Sequence, residues 1–263
     1  MKILVTGVKG QLGHDVIKEL SARNIPHKGI DINDLDITDR AAVFSAIEEY
    51  APTTVIHCAA YTAVDKAEDE PELCHKINAD GTRHIAEACK KINAKIIYIS
   101  TDYVFPGTGN NFYKPDDPTD PISVYGKSKL AGELAVKETL DQYFIVRISW
   151  VFGKNGNNFV KTMLRLGKER EILNVVCDQV GSPTYTADLA PLLCDMAGSE
   201  KFGTYHATNE GMCSWAEFAQ EIFSFAKMNT QVNPIPSSEY PTKAARPLNS
   251  RMDKSNLEEA GFK

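Results

Sequence analysis

From Lys2 to Trp150 the apolar residues switch between a short continuous run and a helical period about every 25 to 30 positions. That alternation constrains the fold more than any other feature. Lys2 to Thr6 reads as a strand, and Gln11 to Arg23 follows as a helix with Leu12, Val16, Ile17 and Leu20 on one face. His27 to Ile32 is a strand and Asp39 to Tyr50 a helix. Thr54 to Cys58 is a third strand, and Glu72 to Lys91 a long helix. Lys95 to Ser100 and Gln142 to Trp150 are two more strands, joined by a loop and a helix from Val124 to Leu140. Repeated βαβ units of this kind predict an α/β fold: a doubly wound parallel sheet covered by helices on both faces. After residue 152 the rhythm loosens. Asn158 to Gly167 and Ser214 to Ala226 look helical, with Ser214 and Glu217 spaced as a capping box. Short strands and Gly/Pro turns such as Gly181-Ser182-Pro183 fill the interval, so a smaller C-terminal lobe is expected.

Composition excludes several classes. The 263 residues are 43% hydrophobic and 24% charged, the balance of a globular chain. Basic residues number 29 against 35 acidic, a net charge of −6, without the basic excess of a nucleic-acid binder. No apolar run approaches the ~18 residues of a membrane span, and the N-terminal run is too short for a secretory signal. A cytoplasmic protein is expected, with no membrane or nucleic-acid partner. Its six cysteines form no CxxC pair and its six histidines no ligand spacing, so reduced thiols and no metal site are expected.

Gly7-Val8-Lys9-Gly10-Gln11-Leu12-Gly13 lies directly between the first strand and the first helix. The G-x-x-G-x-x-G spacing is a variant of the dinucleotide fingerprint: a tight turn, close backbone approach to a pyrophosphate, and a helix N-terminus facing the anion. Asp31 ends the second strand, 18 residues after Gly13, where a carboxylate accepts hydrogen bonds from an adenosine ribose or serves only as a turn residue. No basic cluster follows that strand, although Lys9 is near enough to meet a 2′-phosphate. NADPH and NADH both remain open. The fold class is thus expected to be Rossmann-type, with residues 1–152 binding dinucleotide and residues 153–263 mainly forming a substrate-binding lobe, parts of which return to the first domain.

Tyr125-Gly126-Lys127-Ser128-Lys129 places a tyrosine and a lysine at i and i+4 on one helix face. A cation beside a phenol favours the phenolate, so the spacing predicts a lowered Tyr125 pKa and acid–base work on a carbonyl or alcohol. Thr101, where the fourth strand ends, offers a hydroxyl at the sheet edge where ligands bind.

Together the glycine loop, this threonine and the YxxxK helix resemble the extended short-chain dehydrogenase/reductases. Cys58 to Asp65, Ser100 to Phe105, Ser149 to Gly153, Asp178 to Thr184, Ala245-Arg246-Pro247 and Asn249-Ser250 are similar, more closely, to the dTDP-4-dehydrorhamnose reductase family. The resemblance implies a reductase that passes hydride from NADPH or NADH to C4 of a dTDP-4-keto-6-deoxy sugar. It implies Thr101, Tyr125 and Lys129 as catalytic residues, and Tyr125 and Lys129 also as cofactor contacts. Gly7, Gly10, Gln11, Leu12 and Gly13 match the cofactor loop, Asp36 and Ile37 the adenine contacts, and Ala59, Ala60 and Tyr61 the stretch beneath the cofactor. Asn78 resembles an asparagine close to the active site. Asp102, Tyr103 and Trp150 match the sugar pocket, and Arg246 a diphosphate contact. Core packing is the alternative for Trp150, and a solvated side chain for Arg246.

Some members of that family pair through a metal held by acidic residues. Asp15 and Asp188 match two of those positions and Ser255 the third, so a monomer or weak homodimer is expected. The chain also stops at Gly261-Phe262-Lys263, where relatives continue into a final helix. An epimerase or dehydratase of the superfamily is one alternative, although dehydratases carry Asp-Glu after the threonine and this chain has Asp102-Tyr103. A non-catalytic subunit similar to the methionine adenosyltransferase beta subunit is the other.

Overall fold

A computed structural model describes residues 1–262. Its first half follows the alternation: β1 (Ile3–Thr6), α1 (Gln11–Ala22), β2 (His27–Ile30), α2 (Arg40–Tyr50), β3 (Thr54–His57) and the short α3 (Val64–Ala67). The expected Glu72 to Lys91 helix is instead α4 (Pro71–His75), a π-helical turn over Lys76–Gly81, and α5 (Thr82–Lys91). Then come β4 (Lys95–Thr101), α6 (Val124–Thr139) and β5 (Tyr143–Ile148). The fifth strand stops short of Trp150, which adopts a left-handed backbone with φ of 51° that no strand accommodates.

The second half runs β6 (Val151–Phe152), α7 (Phe159–Glu169), β7 (Ile172–Val176), β8 (Val180–Gly181), β9 (Thr184–Tyr185), α8 (Thr186–Ala197) and β10 (Gly203–His206). It ends with β11 (Cys213–Ser214), α9 (Trp215–Phe225), β12 (Gln231–Ile235), β13 (Asn249–Ser250) and α10 (Ser255–Glu259). The Ser214/Glu217 capping box is formed. Helix α8 lies where only short strands and turns were expected. Pro191 sits inside it and reads as a breaker in sequence, but burial of Leu189, Leu192, Leu193 and Met196 against α1 outweighs the lost hydrogen bond.

Six parallel strands form the main sheet in the order β10-β5-β4-β3-β1-β2. Alternate strand residues face opposite sides, and each side meets helices. Ile3, Val5, Ile56, Ile97, Phe144 and Val146 pack under α1 and α8. Leu4, Val55, Ile96, Tyr98 and Ile145 pack under α2, α5 and α6. A separate small core joins Met163 of α7, Leu173 and Val175 of β7, and Ala219, Ile222 and Phe223 of α9. After β2 the chain returns to the other side of β1 to lay down β3. The order therefore reverses at β1, and a crevice opens there at the carboxyl ends of the strands.

Candidate active site

A cavity of about 710 Å³ occupies this crevice. Its wall includes Gly7, Gly10, Gln11, Leu12 and Gly13 at one end, Asp31, Asp36 and Ile37 beyond β2, and Ala59 and Ala60 beyond β3. Thr101, Asp102, Tyr103, Tyr125, Lys129 and Trp150 complete the other end. Two expected residues lie off the wall. Tyr61 is turned away, its hydroxyl donating to Glu70 Oε2 at 2.8 Å. Arg246 stands behind Tyr103, ion-paired with Asp65 at 2.6 Å.

At the glycine loop, Gly7 has φ of 71°, and a Cβ there would lie 2.7 Å from the Ala59 nitrogen. At Gly13 a Cβ would meet the Gly7 carbonyl oxygen at 2.3 Å. Any side chain at either place would push the loop off the sheet. Helix α1 begins without a side-chain cap and without an acidic residue in its first turn. Its free N–H groups thus face the cavity with no anionic partner of their own. This end suits a pyrophosphate, and the residues present fit a dinucleotide. Asp31 does two things at once: it is on the cavity wall, and its carboxylate accepts the Lys9 N–H at 2.8 Å, fixing the glycine loop.

The π-helical turn brings Asn78 inward. Its side chain accepts the Tyr61 N–H at 2.8 Å and donates to the Tyr61 carbonyl at 3.0 Å and to Ser128 Oγ at 2.9 Å. Asn78 therefore ties the loop after β3 to α6.

At the other end Thr101 Oγ1 donates to Asp102 Oδ1 at 3.0 Å and accepts the Tyr103 N–H at 3.2 Å. Ser250 Oγ donates to Asp102 Oδ2 at 2.5 Å. Burial pushes the Asp102 carboxyl up to about 6. Tyr125 is buried near that carboxylate, and both effects push its phenol well above the ordinary value. The lowered Tyr125 pKa expected from the i, i+4 spacing is therefore not found. Lys129 points elsewhere: its ammonium donates to the Ile99 carbonyl at 2.7 Å and lies 4.1 Å from the centre of the Tyr98 ring. In this arrangement Tyr125 is a protonated donor, the state a carbonyl reduction needs.

Trp150 stacks on Trp215 at 3.7 Å, and Trp215 Nε1 donates to Gln179 Oε1 at 3.1 Å. Trp215 escaped the sequence reading, and Gln179 entered it only within the Asp178 to Thr184 string, without a role. The signal available was that Trp215 is the only other tryptophan in the chain. Of the acidic pair compared with a metal-bridged dimer, Asp15 is nearly buried and accepts the Thr186 hydroxyl at 2.5 Å, and Asp188 Oδ2 accepts from Asn209 at 2.7 Å. Among the described residues, no cluster of three or more His, Cys, Asp or Glu is placed to hold a metal ion, and no helix is long and apolar enough to cross a membrane.

The family model described as RmlD substrate binding domain matches residues 1–263. The chain is 44% identical to a dTDP-4-dehydrorhamnose reductase of Streptomyces griseus, covering 98% of this chain and 88% of that one. It is 42% identical to the enzyme of that name from Aggregatibacter actinomycetemcomitans, covering 98% and 92%. A crystal structure of dTDP-4-dehydrorhamnose reductase from Bacillus anthracis str. Ames in complex with NADP superimposes with a TM-score of 0.97 at 48% identity, covering 100% and 94%. A UDP-glucose 4-epimerase of Thermus thermophilus, 22% identical with a TM-score of 0.85, shares the fold. On the full-length match and these relatives, the chain belongs to the RmlD family, the dTDP-4-dehydrorhamnose reductases.

Proposed function

We propose that the chain is an NAD(P)H-dependent reductase of the C4 keto group of dTDP-4-dehydro-6-deoxy-L-mannose, producing dTDP-L-rhamnose. The observation that carries this reading is Tyr125, a protonated phenol on the wall of a cavity whose far end is an uncapped helix N-terminus. A reduced nicotinamide dinucleotide, when bound, supplies the hydride. The protein's part is to bind, orient and deliver the proton.

Gly7, Gly10, Gln11, Leu12 and Gly13 hold the pyrophosphate. Asp31 accepts from the adenosine ribose, Asp36 and Ile37 flank the adenine, and Ala59 and Ala60 form the floor. Lys129 holds the nicotinamide ribose. Tyr125 gives its hydroxyl proton to the C4 oxygen as charge develops there. Thr101 orients the same oxygen, with its hydroxyl held in place by Asp102. Asp102, Tyr103 and Trp150 enclose the sugar, and Arg246, steadied by Asp65, meets the diphosphate. The stretch beneath the cofactor includes Tyr61 through its backbone, which Asn78 fixes from both sides.

We take the protein to be cytoplasmic and a monomer or weak homodimer, since Asp15 is committed to Thr186 and Ser255 brings no carboxylate. The test is loss of absorbance at the nicotinamide band with dTDP-4-keto-6-deoxy-L-mannose, run beside UDP-glucose. Turnover of roughly 1 to 10³ s⁻¹ is expected with the first and none with the second. Tight cofactor binding without oxidation by any nucleotide sugar would favour a regulatory subunit instead.

A further inference from the structure

Beneath the active site lies a charged pair that the mechanism above does not use. Glu133 is wholly buried and Arg147 is 2% exposed. Arg147 Nε donates to Glu133 Oε1 at 2.9 Å and Nη2 to Oε2 at 2.7 Å, a two-pronged clasp between α6 and β5. Ser100, the residue before Thr101, adds its hydroxyl to Oε1 at 2.5 Å. The guanidinium is held in turn by the Pro115 carbonyl at 3.0 Å and by the face of Phe105 at 4.9 Å.

Burying such a pair gains little stability, because desolvation offsets the attraction. Its position suggests another use. Tyr125, Lys129 and Glu133 are spaced four apart on α6 and share one face, so the glutamate and the lysine leave the helix one turn apart, both buried. Resting on the functional reading above, we propose that Glu133 is a positioning residue: its buried negative charge keeps Lys129 an ammonium aimed at the Ile99 carbonyl and the cofactor ribose, with Ser100 and Arg147 holding that charge in place.

The other groups that act on Lys129 or pack against its side chain do not supply a negative charge at neutral pH. His57 of β3 is neutral, pulled down to about 3 by burial. Cys58 after β3 is pushed up to about 12, and Cys74 of α4 is also raised. Tyr98 of β4 and Tyr125 of α6 are held well above their ordinary value. Arg147 of β5 is paired with Glu133, and of the two it is the carboxylate that acts on the lysine. Burial pulls Lys129 down to about 7, and Glu133 is the main influence holding it up. A lysine left there without Glu133 would give up its proton below neutral pH.

The experiment reads the lysine directly. With lysines labelled with ¹³C at Cε, the Lys129 resonance is assigned by its loss in Lys129→Met and titrated in the whole protein without cofactor. Glu133→Gln should lower the midpoint by about one pH unit or more. Glu133→Asp, which keeps the charge, should restore most of it. Because Glu133→Gln leaves Arg147 unpaired, the double variant Glu133→Gln/Arg147→Met is titrated as well, and it should show the same direction. The alkaline limb of kcat should move down with the midpoint. An unchanged midpoint in the folded double variant overturns the proposal, as does failure of all three variants to fold, which would assign the carboxylate to scaffolding alone. Absence of turnover with the keto sugar in the unaltered protein would instead sink the reductase reading and leave the titration result standing.

Discussion

Thr82 donates its hydroxyl proton to the carbonyl oxygen of Asn78 at 2.8 Å, and that bond fixes the tautomer of His57. With its proton spent, the Thr82 oxygen can only accept, so His57 Nε2 must carry the hydrogen across the 3.1 Å contact. His57 Nδ1 then accepts from Thr6 Oγ1 at 2.7 Å, and Thr6 Oγ1 accepts the Ala59 N–H at 3.1 Å. The bonds run in one sense from the loop after β3, through β1 and β3, to the π-helical turn.

Thr82→Val keeps the shape and removes the link. It would leave the His57 Nε2–H short of a partner in a buried site, a cost of about 1–3 kcal/mol, while the Asn78 carbonyl keeps the Tyr98 hydroxyl. Urea unfolding should show that loss, and Thr82→Ser should recover most of it. Equal stability of the valine variant would mean that the tautomer is fixed by something else.

Stability should fall between pH 7 and pH 5, before most carboxylates titrate. Burial pulls His57 and His206 both down to about 3, so the unfolded chain takes up protons that the fold refuses. Each loses about 2 kcal/mol of stabilisation over that interval, since a depressed histidine favours folding only above its unfolded pKa. Asp102, raised to about 6, acts in the opposite sense. Its folded form takes up the proton first, which adds back about 1 kcal/mol as pH falls through 6. The net drop is roughly 2–3 kcal/mol, and Asp102→Asn should steepen it. Denaturant midpoints at the two pH values test the sign.

Removing the Tyr125 hydroxyl as Tyr125→Phe should cut kcat by about 10² to 10⁴, the range for a general acid. Cofactor affinity, measured by fluorescence titration, should stay within twofold or so. Turnover near that of the unaltered enzyme would mean that another group delivers the proton.

Arg246→Ala should raise KM for the nucleotide sugar more than it lowers kcat, because a diphosphate contact far from C4 is mostly uniform binding. Asp65→Asn should move KM the same way by a smaller factor, since Asp65 steadies Arg246 from behind and also accepts the Ala244 N–H at 3.1 Å. A fall in kcat with KM unchanged would place Arg246 at the reacting centre instead.

Features set by local pattern were legible in the sequence: strands from apolar runs, the glycine loop from its place between β1 and α1, and the start of α9 from Ser214 and Glu217. Features set by distant partners were not. The spacing of Tyr125 and Lys129 suggested contact between them, but the Ile99 carbonyl and the Tyr98 ring, brought by β4, take the ammonium. Nothing local marks the π-helical turn, which exists where Asn78 reaches Tyr61 and Ser128 across the fold. Trp150 reads as the end of a strand, yet it holds a left-handed backbone costing about 1–3 kcal/mol while stacked on Trp215 from α9. Pro191 disguised α8 because local propensity was outweighed by burial on α1.

The way α8 and β10 rejoin the first sheet has a consequence for the order of events during synthesis. When the ribosome has released everything up to β5, the side of the sheet under α2, α5 and α6 can already close. Its opposite side, with Phe144, Val146 and the flank of α1, stays bare until α8 and β10 emerge and cover it. The nascent protein must therefore carry an open oily surface through the making of Val151 to His206, the interval in which a chaperone has something to hold. A chain ended at residue 152 never escapes that interval. It should collect in inclusion bodies, and supplying the missing piece in trans should bring part of it back into solution.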